Sequence, residues 1–310
     1  MPCYTTLAVD LDGTALRNDK SLSPRTVRTL VGAQEQGMRL IIASGRPPQG
    51  IAHVADALQL ARFGGYVLAY NGGELWQPQR PMQLDNLTLR ERSMSMSGSK
   101  GNTNRPALGG AASGCQGWQL IDRHVLPPEA RDIAYTMGKE AGMELLTYHQ
   151  GFLISENLEN TYVAGSLRAN RLRPQPVDNF LEATRPLQLS KCMVVGEPAV
   201  LEKLERPLAM RLLNMATVFR SEPYYMEIVP RGIDKGRGLE RLLAEMGETP
   251  DHLIACGDAP NDIPMLCYAA LGVAMGNAQP AVKAAADIIC GTNEEDGVAQ
   301  IVEQYWAARD

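Results

Sequence analysis

Short apolar runs alternate with helix-like segments near the start of the chain, and this alternation allows few folds. The run TLAVD and its successors are typical of strands buried on both faces. Between the first two runs, Ser23 and Pro24 predict the start of a helix that Gly37 ends. Strand–helix–strand order predicts a parallel sheet with right-handed crossovers, and therefore an α/β fold. The predicted strands are Thr6 to Asp10, Met38 to Ala43 and Tyr66 to Tyr70, with a second helix over Pro47 to Leu60.

The same alternation returns near the C-terminus. We predict strands at YYMEIV, LIAC, LGVAM and DIIC, a helix from Gly236 to Met246 that Gly247 stops, and a last helix in EDGVAQIVEQYW. These elements read as the second half of one open sheet. We therefore predict that residues 1–80 and 224–310 form one doubly wound core domain.

The stretch 81–223 does not continue this alternation and is predicted to be an inserted α+β domain, or cap. It contains a predicted helix from Pro128 to Ala141, a strand pair in MELLTYHQGFLISE and a helix that we expect to break at Pro207. The cap opens with residues 93–117, a segment rich in glycine and serine that cannot bury much apolar surface. A flexible loop is predicted there.

Composition excludes several classes of protein. The net charge of -5 supplies no basic field for a nucleic acid, so a nucleic-acid partner is not expected. No apolar stretch approaches the roughly 18 residues of a membrane-spanning helix, and no signal peptide is recognisable, so we expect a cytoplasmic protein without a membrane partner. The six cysteines contain no C-x-x-C pair, which argues against a structural zinc site. Nothing in the sequence indicates an oligomeric state.

Two carboxylates directly follow the first predicted strand, in the stretch LAVDLDGTAL. Gly13 permits a sharp turn that would bring Asp12 back beside Asp10. Two carboxylates this close repel, so they need a cation between them or a shared proton. A turn in which Asp12 caps its own backbone is the alternative that this motif alone leaves open.

Further polar residues follow other predicted strands. Ser44 and the amide of Gly45 precede a helix, an arrangement that suits a phosphate group but is also an ordinary helix cap. Lys235 lies just before another helix, where it would offer a charge to a phosphoryl group or simply be solvated. Hard oxygen ligands such as Asp258 and Asp262, which flank Asn261, suit Mg²⁺, although a turn before a capped helix would look similar.

The order of these four motifs is more specific than any one of them. The chain strongly resembles the haloacid dehalogenase-like (HAD) hydrolase superfamily, and its insert resembles the type IIB cap of the Cof-like phosphatases. The resemblance implies a Rossmann-like core, a phosphoric monoester hydrolase activity and a Mg²⁺ cofactor. Serine at position 44 stands where threonine is more usual in this family, and it keeps the hydroxyl.

The resemblance also implies a role for each motif residue. Asp10 would be the nucleophile that forms an aspartyl phosphate, and Asp12 the general acid and base. Asp262 would not bind the metal directly but would orient its water ligands or Lys235. The metal would be held by Asp10, the backbone carbonyl of Asp12 and Asp258, and the phosphate by Ser44, Gly45, Lys235 and Asn261.

Three functions remain open at this point. The first is a phosphatase for small phosphorylated metabolites, with sugar phosphates as one substrate class. The acid at Asp12 favours phosphoryl transfer over dehalogenation, because attack on carbon leaves no alkoxide to protonate. The second is a phosphomutase of the phosphomannomutase type, which shares this kind of core and cap. The third is a non-catalytic protein that binds sugar phosphates.

Overall fold

Two β-sheets carry the fold in the computed structural model, in which residues 4–79 and 117–306 are described. The strands, in chain order, are β1 (Thr6–Val9), β2 (Arg39–Ala43), β3 (Tyr66–Ala69), β4 (Glu74–Pro78), β5 (Trp118–Arg123), β6 (Glu144–His149), β7 (Phe152–Ser155), β8 (Arg173–Pro176), β9 (Cys192–Val195), β10 (Ala216–Glu222), β11 (Tyr225–Pro230), β12 (Leu253–Gly257), β13 (Leu271–Ala274) and β14 (Ile288–Ile289).

The larger sheet has eight strands in the order β14-β13-β12-β1-β2-β3-β4-β5. The six strands from β14 to β3 run parallel, and β4 and β5 continue the sheet antiparallel. β1 and β2 are almost completely buried, as expected where helices cover both faces of a parallel sheet. The carboxyl ends of β12, β1, β2 and β3 therefore lie side by side at one edge.

Helices and short 3₁₀ turns connect these strands. Ser23 caps the first helix by accepting a hydrogen bond from the Thr26 amide, and Gly247 ends another helix with a φ of 69°. The helices are α1 (Pro24–Glu35), α2 (Pro48–Ala57), α3 (Pro128–Glu140), α4 (Thr161–Ala169), α5 (Phe180–Thr184), α6 (Pro198–Leu212), α7 (Lys235–Met246), α8 (Ile263–Tyr268), α9 (Pro280–Ala285) and α10 (Gly297–Tyr305), and the 3₁₀ turns are Tyr70–Gly72, Pro250–His252, Pro260–Asp262 and Asn293–Glu295.

The second sheet has six strands in the order β10-β11-β9-β6-β7-β8. All of its pairs are antiparallel except β7 with β8. Helices α3 and α6 pack against it around an apolar cluster that includes Phe180, Leu201 and Ile228. The predicted α+β character of this part of the chain, and the predicted α/β fold class of the whole, are confirmed.

Sheet membership differs from the prediction for two strands. The strand in YYMEIV, β11, was predicted to open the second half of the core, but it pairs with β9 and β10 in the six-stranded sheet. The reason is local, because only Pro223 and Tyr224 separate it from β10 and so favour an antiparallel hairpin. Conversely, β5 lies inside the predicted cap range 81–223 but pairs with β4 in the eight-stranded sheet. The division into core and cap domains itself stays a prediction.

The helix predicted to break at Pro207 is continuous in the structure. Leu201, Leu208 and Leu212 are fully buried on both sides of the proline, so packing of the apolar face holds the helix together. Nearly all of the Gly/Ser-rich segment 93–117, predicted to be a flexible loop, lies outside the described residues. Within the described ranges, no helix combines the length and apolarity needed to cross a membrane.

Candidate active site

The candidate site lies at the carboxyl edge of the eight-stranded sheet. Asp10 follows β1, Ser44 follows β2, Asn71 lies in the turn after β3, and Asp258 follows β12. Since these four strands are neighbours and parallel, their ends bring residues from distant parts of the sequence to one place. Asp10, Ser44 and Asn71 are all buried.

Lys235 connects two of the carboxylates. Its Nζ lies 2.6 Å from Oδ1 of Asp10 and 2.5 Å from Oδ1 of Asp262, and its side chain has no exposed surface. It occupies the first position of α7, where Asp234 caps the helix by accepting a hydrogen bond from the Arg237 amide. The lysine that sequence analysis left between a functional and a solvated role is therefore buried and doubly paired.

Burial dominates the electrostatics of this pair. Desolvation raises the pKa of Asp10 well above its ordinary 3.8; the ammonium of Lys235 opposes the rise, and the carboxylates of Asp262 and Asp258 add to it. Burial alone would lower the pKa of Lys235, but the charges of Asp10 and Asp262 outweigh it and raise that pKa. Lys235 thus stays protonated, and any further positive charge near Asp10 would favour the ionised form of its carboxyl group.

Both carboxylate oxygens of Asp262 accept hydrogen bonds. Oδ1 faces Lys235, while Oδ2 accepts hydrogen bonds from the backbone amides of Asp258 and Ala259 at 2.9 and 3.0 Å. Its carboxylate is fully buried. These bonds fix the turn that presents the side chain of Asp258. The supporting role of Asp262 stays a prediction.

Asp258 is oriented by the loop after β1. Oδ1 accepts a hydrogen bond from Thr14 Oγ1 at 3.0 Å. Burial, and then the charge of Asp262, raise the pKa of Asp258 to about 6, although the Thr14 bond and Lys235 oppose this. The same loop is tied on its other side, because Asn277 Nδ2 donates to the Gly13 carbonyl at 2.8 Å.

The carboxylates of Asp10, Asp258 and Asp262 form a group that suits a cation. One oxygen of each lies within 4.8 Å of the others. Three carboxylates face a single lysine here, so the cluster is short of positive charge when ionised, and oxygen ligands of this kind suit Mg²⁺. Because both Asp262 oxygens are already engaged, Asp10 and Asp258 are the better placed ligands. The donor set therefore fits the predicted metal.

Asp12 lies beside this group but points to other partners. Arg46 donates two hydrogen bonds to its carboxylate, each of 2.6 Å, and Lys20 donates a third of 2.8 Å. Burial opposes ionisation of Asp12, but the bonds and charges of Arg46 and Lys20 outweigh it and lower its pKa to about 2. The predicted alternative of a carboxylate capping its own turn is not what the structure has.

Ser44 and Gly45 form the turn from β2 towards α2. The Ser44 hydroxyl oxygen accepts a hydrogen bond from the Arg46 amide at 3.2 Å, which leaves its hydrogen available to an anion. Asn261, the remaining predicted phosphate ligand, donates from Nδ2 to Oδ1 of Asn71 at 3.0 Å. This bond joins the loops after β12 and β3 and so spans the ends of β1 and β2, which lie between them.

Three further residues of this edge, Asn71, Lys191 and Glu227, have no role in the sequence-based predictions. Glu227 Oε2 accepts hydrogen bonds from Asn71 Nδ2 at 3.2 Å and from Lys191 Nζ at 3.1 Å, and Lys191 also donates to the Gly45 carbonyl at 2.8 Å. The available signal was a single charged residue next to or inside an otherwise apolar strand, as in SKCMVV and YYMEIV.

A parallel α/β sheet with an acidic cluster and a buried lysine at its carboxyl edge defines a class of α/β hydrolytic enzymes. The profile of one family, described as haloacid dehalogenase-like hydrolase, matches residues 7–95 and 108–302. The chain belongs to this family. The predicted superfamily, and with it the predicted enzyme class of phosphoric monoester hydrolase, is confirmed.

Relatives agree over nearly the whole chain. A haloacid dehalogenase-like hydrolase from Bacteroides thetaiotaomicron has a solved structure that is 36% identical, with a TM-score of 0.80, and the match covers 98% of this chain and 100% of that one. A 5-amino-6-(5-phospho-D-ribitylamino)uracil phosphatase of Bacillus subtilis is 26% identical over 97% of this chain and 94% of its own. A sugar phosphatase of HAD subclass IIB shares the fold, with a TM-score of 0.73 at 19% identity, over 97% of this chain and 98% of that one.

Proposed function

We propose that this protein is a Mg²⁺-dependent phosphatase that hydrolyses small phosphorylated metabolites through an aspartyl phosphate on Asp10. The observation that carries the proposal is the meeting of Asp10, Lys235 and Asp258 at one buried sheet edge, with Ser44 on the adjacent strand end. A nucleophile, its cationic partner, a second acidic ligand and a hydroxyl donor are the parts that phosphoryl transfer needs.

The chemistry follows in two displacements. In the first, a carboxylate oxygen of Asp10 bonds to phosphorus as the ester P–O bond breaks, and the leaving alkoxide takes a proton from Asp12. In the second, water gives a proton to Asp12 and bonds to phosphorus as the Asp10–phosphorus bond breaks, which releases orthophosphate. Asp12 is ionised while Arg46 and Lys20 hold it, so its first role requires that it gain a proton when substrate enters.

Ser44, the amide of Gly45, Lys235 and Asn261 are the proposed donors to the phosphoryl oxygens. Asp10, Asp258 and the backbone carbonyl of Asp12 would hold the Mg²⁺. When bound, the ion supplies positive charge that draws in the phosphate and favours the ionised form of Asp10. Lys235 keeps the nucleophile oriented, and Asp262 keeps both Lys235 and the turn at Asp258 in place.

The proposed substrate class is sugar and polyol phosphates. One relative is named for 5-amino-6-(5-phospho-D-ribitylamino)uracil, and one protein of the same fold is a sugar phosphatase. Both names fit a site in which residues of the six-stranded sheet approach the catalytic loops, as Lys191 does at Gly45.

The test is release of orthophosphate from an aryl phosphate and then from a panel of phosphorylated sugars, polyols, nucleotides and cofactors. We expect activity that EDTA abolishes and Mg²⁺ restores, and none in Asp10→Asn. Radiolabelled substrate should leave label on the acid-quenched protein, released by hydroxylamine. Activity that survives both chelation and Asp10→Asn would contradict the mechanism.

A control variant is available at the opposite, amino end of β12. Asp251 lies in the 3₁₀ turn before β12, exposed and remote from the carboxyl end. Asp251→Asn should keep wild-type turnover. Isomerised sugar phosphate without free orthophosphate, in the presence of a bisphosphate activator, would instead indicate the mutase alternative.

A further inference from the structure

A chain of hydrogen bonds connects the six-stranded sheet to both proposed phosphate-binding loops. It runs from the Gly45 carbonyl to Lys191, then to Glu227, Asn71 and Asn261, with donor–acceptor distances of 2.8, 3.1, 3.2 and 3.0 Å. Lys191 directly precedes β9, and Glu227 lies in β11, opposite Met193 of β9. The two charged residues therefore come from neighbouring strands of the sheet that does not hold the nucleophile.

Lys191 and Glu227 are deeply buried, so their charges must be compensated by nearby partners. Exposure is 3% for Lys191, 4% for Glu227 and 2% for Asn71. The ammonium also lies 5.7 Å from the ring centroid of Tyr70 and 5.4 Å from that of Tyr148, two rings that stack on each other. A buried charge is tolerated only when paired and hydrogen-bonded, and each of these has such partners.

The chemical types fix the direction of every bond in the chain. A lysine ammonium can only donate and a carboxylate can only accept. Asn71 must therefore turn its NH₂ to Glu227 and its carbonyl oxygen to Asn261. Asn261 must in turn offer its NH₂ to Asn71, and the second N–H of that group is left to donate elsewhere. The amide thus presents a donor, as a phosphate ligand must.

The other end of this hydrogen-bond chain contacts the turn after β2. Lys191 holds the carbonyl of the Gly45–Arg46 peptide, while the amide of the same peptide donates to Ser44 Oγ. With its oxygen already accepting, the Ser44 hydroxyl is set to donate its hydrogen. Both ends of this hydrogen-bond chain therefore leave a donor at the same edge of the sheet.

We infer that Lys191 and Glu227 are positioning residues, which fix the donor direction of Ser44 and Asn261 before phosphate binds. Neither residue is assigned contact with the substrate. The inference rests on the proposed phosphatase function for its biological meaning, but orthophosphate binding tests it separately from turnover.

Backbone conformation supports this reading. Tyr70 and Asn71 have φ values of 53° and 57°, in the left-handed region that residues other than glycine seldom adopt. Such strain persists where surrounding contacts hold it, and it is concentrated at functional sites. Three hydrogen bonds hold Asn71 in this conformation. Its side chain bonds to Glu227 and Asn261, and its backbone N–H donates to the Ser44 carbonyl at 2.9 Å.

The experiment compares Lys191→Met, Glu227→Met and the double variant with wild type. The measurements are the thermal unfolding midpoint, the Kd for orthophosphate with Mg²⁺ by calorimetry, and the inhibition constant of orthophosphate in the aryl phosphatase assay. Each single variant leaves a buried charge unpaired and should unfold at lower temperature, whereas the double variant replaces the pair with apolar groups and should recover stability.

Orthophosphate affinity should not recover with stability. Removing residues that orient metal ligands typically lowers affinity or activity about 10- to 100-fold, and we expect a loss of orthophosphate affinity of this order in both single variants and in the double variant. A purely structural pair would instead give a double variant with wild-type affinity, and that result would overturn the inference.

Glu74 provides the matched control. It is also a buried carboxylate with three donors, from Trp76, Arg123 and Ser190, and it too joins the eight-stranded sheet to the segment before β9. Glu74→Met should lower the unfolding midpoint but leave orthophosphate affinity within about twofold, because it is not hydrogen-bonded to the Ser44 or Asn261 loops. An equal loss of affinity in this control would count against the inference.

The two proposals fail in different ways. Wild-type turnover combined with unchanged orthophosphate constants in the Lys191 and Glu227 variants would keep the phosphatase and overturn the positioning role. No turnover by wild type on any phosphate ester would reject the phosphatase, while the calorimetric Kd values would still decide the role of the pair. A wild type that neither hydrolyses a phosphate ester nor binds orthophosphate would overturn both.

Discussion

Arg46 donates two hydrogen bonds to Asp12, from Nε to Oδ2 and from Nη2 to Oδ1, each 2.6 Å long. The guanidinium is buried, and it also donates to the backbone carbonyls of Gly50 and Ala169, so it cannot turn away without losing several partners. Two parallel bonds of this kind are the strongest arrangement between a guanidinium and a carboxylate. Asp12 is therefore kept ionised by a fixed neighbour.

The first prediction concerns the pKa of Asp12, which Arg46 and Lys20 lower from 3.8 to about 2. In Arg46→Met we expect this pKa to rise above that of the wild type, because burial then opposes ionisation with only Lys20 to counter it. A lowered pKa stabilises the fold above the unfolded value of 3.8, and this stabilisation is lost as the pH falls towards 2. Carbon-13 NMR titration of the Asp12 carboxyl measures the shift directly.

A second variant at position 46 keeps the positive charge but changes the geometry of the hydrogen-bond donors. Arg46→Lys restores a cation without the paired geometry, so the Asp12 pKa should fall between those of the wild type and Arg46→Met. An Asp12 titration midpoint that is the same in all three proteins would mean that Arg46 does not control this carboxyl.

The second prediction concerns Lys235, which is fully buried between Asp10 and Asp262. Lys235→Met leaves both carboxylates without their cation and should lower the free energy of unfolding by about 3–5 kcal/mol near pH 7. Adding Asp262→Asn removes one of the unpaired charges and should return part of this loss. Urea unfolding of the metal-free proteins gives the values.

An exposed lysine serves as the comparison for that change. Lys203→Met, on the outer face of α6, should alter the free energy of unfolding by no more than about 0.5 kcal/mol. If Lys235→Met were as mild as Lys203→Met, the buried pairs at Asp10 and Asp262 would not be energetically important.

Residues whose role depends on local pattern could be predicted from sequence. Asp10, Ser44 and Asp258 each follow a short apolar run, and a parallel sheet places such positions at one edge whatever lies between them in the chain. The helix ends at Ser23 and Gly247 were equally readable, because the capping groups lie within a few residues of the backbone that they satisfy.

Residues whose role depends on long-range contact could not be predicted. Lys191 reaches Gly45 across a sequence separation of 146, and no local pattern records that approach. No strand was predicted at Trp118–Arg123, which fell inside the predicted cap range, and a local pattern in any case does not record the sheet that a strand joins. Asp12 was predicted to be a site residue, but no local pattern pairs it with Arg46, which is 34 residues away in the sequence.

The third prediction concerns Thr14, whose hydroxyl donates to Asp258 Oδ1 at 3.0 Å. Thr14→Val keeps the shape and removes the bond, so the Asp258 carboxylate loses the group that orients it. We expect the Mg²⁺ concentration for half-maximal aryl phosphatase activity to rise about tenfold. Thr136→Val, which removes only a bond to the Asp132 carbonyl on an exposed helix face, should leave the Mg²⁺ requirement unchanged.

The fourth prediction separates backbone strain from steric contact at Gly13. This glycine has a φ of +79°, and a Cβ added to it would lie 2.4 Å from Oδ2 of Asp258. Gly64 has a similar φ of +69°, but a Cβ there would meet no atom within 4 Å. In either position an alanine adopts left-handed backbone at a cost of about 1–2 kcal/mol. Gly64→Ala should lose about this much stability in urea, and Gly13→Ala should lose more because of its additional contact with Asp258.

Only Gly13→Ala should change the chemistry, because its methyl group must displace the Asp258 carboxylate from the place that Thr14 and the Asp262 turn give it. We expect its turnover at saturating substrate to fall at least about tenfold and its Mg²⁺ requirement to rise, whereas Gly64→Ala should match wild type in both. Equal activity in the two variants would mean that Asp258 tolerates displacement, and its proposed place among the metal ligands would then be wrong.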